Sequence, residues 1–215
     1  MTALSFTLLG EGSFDAMLIP VVRWLLESNG VKRPLLPSWA DLSLLHKRPK
    51  GLAAEIQAAL ENYPCELLFV HRDADNGPRE DRLKEIQKAL RKVKGQPQQV
   101  PPHICVIPVR ETETWFLFDE QAIRDAVGNP LGSSELRLPS IHRLESLSRS
   151  KEVLNDILLK AKNPRPHRRH RFSPGEAKHR LAELIGDFSR LRSLSAFATL
   201  ERDIQTVINQ HGWNT

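Results

Sequence analysis

Long hydrophobic runs are missing from this chain. No stretch approaches the roughly eighteen uninterrupted apolar residues that a membrane span needs, so no membrane association is expected. Cysteine is scarce: Cys65 and Cys105 are the only two. Each stands beside an expected strand, which reads as small core residues in a reducing cytoplasm and excludes a disulfide framework. The opening "MTALSFTLLGEG" has no basic segment and carries Glu11 too early for an export signal. No Gly-x-x-x-x-Gly-Lys-Ser/Thr loop occurs, so the chain is not expected to hydrolyse ATP itself, and no Gly-x-Ser-x-Gly elbow offers a serine nucleophile. His167 and His170 stand at neither zinc-finger nor metalloprotease spacing. Aromatic residues make up only 6%. Trp24, Trp39, Trp115 and Phe197 are read as core rather than as base-stacking platforms.

What is present begins with charge. The net charge is +5 over 215 residues, and its distribution matters more than its size. Residues 140–215 hold fourteen Lys/Arg against eight Asp/Glu, while residues 1–139 hold seventeen against eighteen. A basic C-terminal third points to an anionic partner.

Hydrophobic periodicity gives the organisation. "LSFTLLGEG" reads as a first strand, "SFDAMLIPVVRWLLES" as a helix with Pro20 in its first turns, and "RPLLPSWADLS" as irregular chain containing a short second strand. "GLAAEIQAALENY" and "PREDRLKEIQKALRKV" have helical spacing, with the buried strand "CELLFVHRD" between them. "HICVIPVRET" is a further strand, and "ETWFLFDEQAIRDAV" turns helical. This alternation predicts an α/β fold, a mostly parallel Rossmann-like sheet with helices on both faces. After Pro139 the pattern changes to helices over "IHRLESLSRSKEVLNDILLKA", "SPGEAKHRLAELIGDFSRLR" and "LSAFATLERDIQTVINQ". Residues 1–139 are therefore read as the α/β domain and 140–215 as a basic helical extension packed on it.

Acidic residues recur where the strands give out. Glu11 follows the first, Asp73 and Asp75 follow "LLFV", and Glu111 and Glu113 follow "VIPV". Asp15 lies four residues past Glu11, on the same face of the following helix. Each acid alone has a plain reading as a turn residue, a helix-start residue or a strand-end charge. In a parallel sheet, however, all these ends line one crevice, where converging carboxylates repel unless a cation neutralises them. All-oxygen ligation suits Mg²⁺ or Mn²⁺.

"EGSFD", "HRDAD" and "ETETW" resemble the acidic motifs of Toprim-fold proteins, in particular the bacterial branch of overcoming-lysogenization-defect nucleases and their small stand-alone relatives. Glu11-Gly12 stands intact, Phe14-Asp15 replaces Thr-Glu, Asp73 and Asp75 match the Asp-x-Asp pair, and Glu113, Trp115 and "FLFD" match the Glu-x-Trp segment. The tail "HRLAELIGDFSRLRSLSAFATLERDI" resembles the C-terminal helix pair of the small relatives. The resemblance spans roughly residues 5–120 and 175–208. It implies a Toprim-like sheet performing metal-dependent phosphodiester hydrolysis on DNA or RNA, in bacterial antiviral defence beside a separate ATPase subunit; a homo-oligomer is compatible with it. The implied metal set is Glu11, Asp15, Asp73, Asp75 and Glu111, and the implied catalytic set is Glu11, Asp73, Asp75 and Glu113, with Glu113 or else Glu111 completing the outer shell of the metal or acting as general base toward water. A non-catalytic nucleic-acid-binding or regulatory subunit that keeps the fold is the alternative. Within "RPHRRHRF", Arg165, Arg168, Arg169 and Arg171 are expected to grip a nucleic-acid backbone, since arginine forks onto phosphate oxygens.

Overall fold

A computed structural model describes residues 2–75, 77–94, 100–163 and 172–214. Four strands, β1 (Leu4–Leu9), β2 (Leu35–Trp39), β3 (Leu67–His71) and β4 (His103–Val106), pair in the order β2-β1-β3-β4, and every pairing is parallel. The chain runs outward from β1 to β2, then crosses back over β1 to β3. The direction of winding therefore reverses between β1 and β3, where open parallel sheets form their ligand crevice.

Period-2 alternation divides the strand side chains between two cores. Leu4, Phe6, Leu8, Leu67, Phe69, Ile104 and Val106 enter the larger cluster on one face. Leu9, Leu68, Val70, Cys105 and Ile107 enter the smaller cluster on the other. Helices α2 (Leu52–Asn62) and α3 (Arg79–Lys94) cover the smaller one through Ile56, Ala59, Ile86 and Leu90. Helix α1 (Leu18–Ser28) contributes Leu18, Val21, Val22 and Leu25 to the larger one, and Pro20 sits in its first turn as its missing N–H requires. Both cysteines are free; Cys105 is buried and Cys65 partly so.

The described residues beyond 139 complete the larger cluster. Leu154 and Leu158 of α5 (Ser150–Lys162), Leu181 of α6 (Pro174–Leu184), and Phe197, Leu200 and Ile208 of α7 (Ser195–His211) all lie within it. Four expected helices are broken: "SFDAMLIPVVRWLLES" into a 3₁₀ turn (Ser13–Met17) and α1, "SPGEAKHRLAELIGDFSRLR" into α6 and a 3₁₀ turn (Ser189–Ser193), and two others. "ETWFLFDEQAIRDAV" forms a 3₁₀ turn over Thr112–Phe116 and then α4 (Glu120–Ala126). Trp115, Phe116, Leu117 and Phe118 are all buried, so the segment enters the core on every side, and Asp119 starts a new helix by accepting the Ala122 N–H. "IHRLESLSRSKEV" likewise divides into a 3₁₀ turn (Ile141–Ser146) and α5. There the N-terminus of α5 is received by a side chain from the sheet edge, Glu111. No described helix is long and apolar enough to cross a membrane.

Candidate functional site

The parallel sheet carries β1 and β3 side by side, so the residues following both strands meet at the same edge. Glu11 leaves β1 through a tight turn. Gly10 is required there: a Cβ at that position would lie 2.7 Å from atoms of both Asp15 and Trp39. Asp15 fixes the turn from within, its Oδ2 accepting the N–H groups of Glu11 at 2.8 Å and Gly12 at 3.0 Å. The Glu11 carboxylate then reaches across to the β3 exit. Its Oε1 takes a hydrogen bond from Arg72 Nη1 at 2.6 Å, and its Oε2 takes the Asp73 N–H at 3.2 Å.

Asp73 is held as closely. Its Oδ1 accepts the Thr112 N–H at 3.0 Å and stands 3.2 Å from the Thr112 hydroxyl. His71 completes the group. It lies two residues before Asp73, on the strand face shared with Leu67 and Phe69, and is almost fully buried. Its Nε2 stands 3.5 Å from Asp73 Oδ1, 3.7 Å from Asp15 Oδ2 and 3.1 Å from Thr112 Oγ1. Ligand atoms of Glu11, His71 and Asp73 all lie within 4.8 Å of one another, which is close enough to share one cation.

Electrostatics at this point are unfavourable for a bare acid. Burial, followed by the charges of Asp15, Glu11 and Glu113, pushes the Asp73 carboxyl up to about 8, against a smaller opposing effect of the Thr112 hydrogen bond. Either a proton or a cation would relieve a carboxyl raised in this way.

The remaining acids of the expected set point elsewhere. Asp75, in a left-handed turn at φ 53°, turns its carboxylate to Arg82 Nη2 at 2.9 Å and is not part of the close group. Glu111 is committed to the start of α5, accepting from Ser150 Oγ at 2.7 Å and the Lys151 N–H at 2.9 Å. Glu113 is buried in an ion pair with Lys178 of α6 at 2.9 Å. Arg165, Arg168, Arg169 and Arg171 lie outside the described residues.

Several participants were not anticipated from sequence. His71 carried a usable signal, since it alternates with Asp73 along one strand face. Thr112 and Arg72 carried none beyond adjacency to the acids, and Lys178 comes from a helix more than sixty positions away from Glu113 in sequence. Arg72 also spans to Glu55 on α2 at 3.3 Å, so one guanidinium neutralises acids from two elements.

Two clefts are lined by partners of Arg72, one by Glu11 and Glu55 and one by Glu85. One of about 250 Å³ is lined by Glu11, Ser13, Trp39, Arg48 and Glu55. The other, of about 310 Å³, lies at the N-terminus of α2, where Lys50, Lys88 and Lys92 surround Gly51 and Glu85. Comparison with known proteins returns nothing further: no family model, no curated protein and no solved structure matches the chain.

Proposed function

We propose that this chain is a divalent-metal-dependent nuclease of Toprim-like fold that hydrolyses phosphodiester bonds of DNA or RNA. One observation carries the reading: the carboxylates of Glu11 and Asp73, from neighbouring strand ends at the winding reversal, converge with His71 within 4.8 Å. Oxygen donors of this kind fit a Mg²⁺ or Mn²⁺ ion, and the raised Asp73 carboxyl is relieved when a cation replaces its proton. When bound, such an ion polarises a phosphoryl oxygen and lowers the pKa of coordinated water. The chain's own contribution is positioning. Asp15 holds the Glu11 turn, and Thr112 holds Asp73. Arg72, supported by Glu55, stands where it can pair with a phosphate oxygen as readily as with Glu11. Exposed Arg48, Lys50, Lys88 and Lys92 beside the site supply positive charge for a polyanionic backbone. A place in antiviral defence, with a separate ATPase subunit, belongs to the same proposal and rests on the motif resemblance alone, while a cytoplasmic location rests on the two free cysteines.

A second reading, a nucleic-acid-binding or regulatory subunit without catalysis, is favoured by a specific feature. Asp75 and Glu113, two of the four acids the motifs assign to catalysis, are paired with Arg82 and Lys178. Incubation of the purified protein with Mg²⁺ or Mn²⁺ and supercoiled plasmid, single-stranded DNA and RNA separates the two. Cleavage that disappears in Asp73→Asn supports the nuclease. Binding of nucleic acid without metal-dependent cleavage establishes the second reading instead.

A further inference from the structure

The metal donor set expected from sequence is all oxygen, yet a fully buried side chain beside the acids is an imidazole. His71 Nδ1 lies 2.9 Å from the carbonyl oxygen of Val106 on the adjacent strand β4. A carbonyl can only accept, so Nδ1 carries the proton, and in the neutral ring Nε2 presents a lone pair. Asp73 Oδ1 and Asp15 Oδ2 stand 3.5 and 3.7 Å from Nε2. The Thr112 hydroxyl has one proton, and it lies within reach of both Nε2 and Asp73 Oδ1. It can serve one of them. With the Asp73 carboxyl ionised, the other contacts set electron-rich atoms against electron-rich atoms beside a histidine that is 1% exposed. A backbone carbonyl that fixes one ring nitrogen so that the other faces carboxylates is the arrangement proteins use to orient a metal-binding histidine.

Resting on the metal-site reading above, we propose that His71 is a nitrogen ligand of that metal through Nε2, with Glu11 and Asp73, and that the site selects a first-row transition-metal dication over Mg²⁺. Mg²⁺ takes oxygen ligands in a strict octahedron and gains little from imidazole, whereas Mn²⁺, Fe²⁺, Co²⁺ and Zn²⁺ accept mixed nitrogen and oxygen donors. The residue order supports this, because β3 delivers His71 and Asp73 to the same side while its neighbour β1 delivers Glu11.

The test uses Mn²⁺ as a paramagnetic probe on the full chain. Pulsed electron-spin-echo spectroscopy of the Mn²⁺-loaded protein should show coupling to an imidazole nitrogen, and labelling histidine with ¹⁵N should change that coupling. His71→Asn keeps an N–H near the Nδ1 position to serve Val106 but removes Nε2. It should abolish the coupling and weaken Mn²⁺ binding at least about tenfold, while Mg²⁺ binding changes much less. The wild type should prefer Mn²⁺ to Mg²⁺ in direct competition. Mn²⁺ bound without histidine coupling in the wild type overturns the inference and leaves the acid metal site standing. Coupling that persists in His71→Asn assigns the signal to another histidine and overturns it too. Histidine-coupled Mn²⁺ in a protein that cleaves no nucleic acid sustains the ligand and sinks the nuclease. Failure to bind either ion at millimolar concentration sinks both. A wild-type spectrum without histidine coupling overturns the inference even where the variant folds poorly, and His71→Gln is the second variant that assigns a positive one.

Discussion

Lys178 Nζ lies 2.9 Å from Glu113 Oε1, and the two side chains are 3% and 8% exposed. The pair joins α6, from the basic C-terminal third, to the 3₁₀ turn after β4, and the Lys178 ammonium stands 5.8 Å from the ring centre of Phe14 beside the Glu11 turn. A helix far along the chain thus neutralises an acid whose charge bears on Asp73.

Removing one member of this pair strands the other in a dry site. Lys178→Met should destabilise the protein by about 3–5 kcal/mol, measured by urea unfolding. The double variant Lys178→Met with Glu113→Leu should recover much of that loss, because two apolar groups need no compensation. A single variant within about 0.5 kcal/mol of wild type would show that water already reaches the pair.

Asp73 makes metal-free stability depend on pH. Its folded carboxyl titrates at about 8, well above the ordinary value of 3.8, so folding favours the protonated form. That contribution is complete below pH 4 and is lost as pH rises through 8. In chelator, the melting temperature should therefore show an Asp73-dependent decline between pH 5 and pH 8.5. Asp73→Asn should flatten that decline and be the more stable protein at pH 8.5, by up to several kcal/mol, on the order of 3–5. Identical pH profiles for the two proteins would count against a strongly raised carboxyl.

Metal should reverse the same penalty. An ion that binds only the folded chain adds about 2.7 kcal/mol at one hundred times its dissociation constant. Mn²⁺ should accordingly raise the wild-type melting temperature by several degrees, and Glu11→Gln or Asp73→Asn should abolish the response. Because the ion displaces the Asp73 proton, its apparent affinity should weaken as pH falls below 8. Calorimetry in buffers of different ionisation enthalpy should register the released proton.

Sequence patterning made the parallel sheet and its acid-bearing edge readable, since strand alternation and strand-end position follow from local spacing alone. It placed Glu11, Asp15 and Asp73 together for that reason. It did not reveal which acids are already partnered. Asp75 faces Arg82 because its left-handed backbone turns it away from the preceding strand, and Glu111 faces α5 because the helix start needs an acceptor. Both choices depend on where distant segments pack. Apolar periodicity likewise merged the 3₁₀ turn at Thr112–Phe116 with α4, because an entirely buried run looks the same in either conformation.

Under the proposed function two basic regions are candidates for a backbone clamp, and salt dependence distinguishes them. Lys50, Lys88 and Lys92 surround a cleft beside α2, and Glu85 in the same cleft lies 3.8 Å from Arg72 next to Glu11. A strand held there would be led toward the acids. Arg165, Arg168, Arg169 and Arg171 are the alternative. Each phosphate contact on duplex DNA contributes about 0.9 to the slope of log affinity against log salt. Changing the three lysines to Ala should therefore reduce the slope by about 2.7, and changing the four arginines by about 3.6, if every one of them meets a phosphate. The arginine variant should keep its Mn²⁺-dependent melting shift, since none of its changed residues belongs to the Glu11–His71–Asp73 group. Fluorescence anisotropy across several salt concentrations, in Ca²⁺ to suppress cleavage, reads both slopes. A reduced slope in the lysine variant alone puts the track along α2 and α3. A reduced slope in the arginine variant alone assigns the clamp to Arg165, Arg168, Arg169 and Arg171, and two unchanged slopes would remove both regions from nucleic-acid binding.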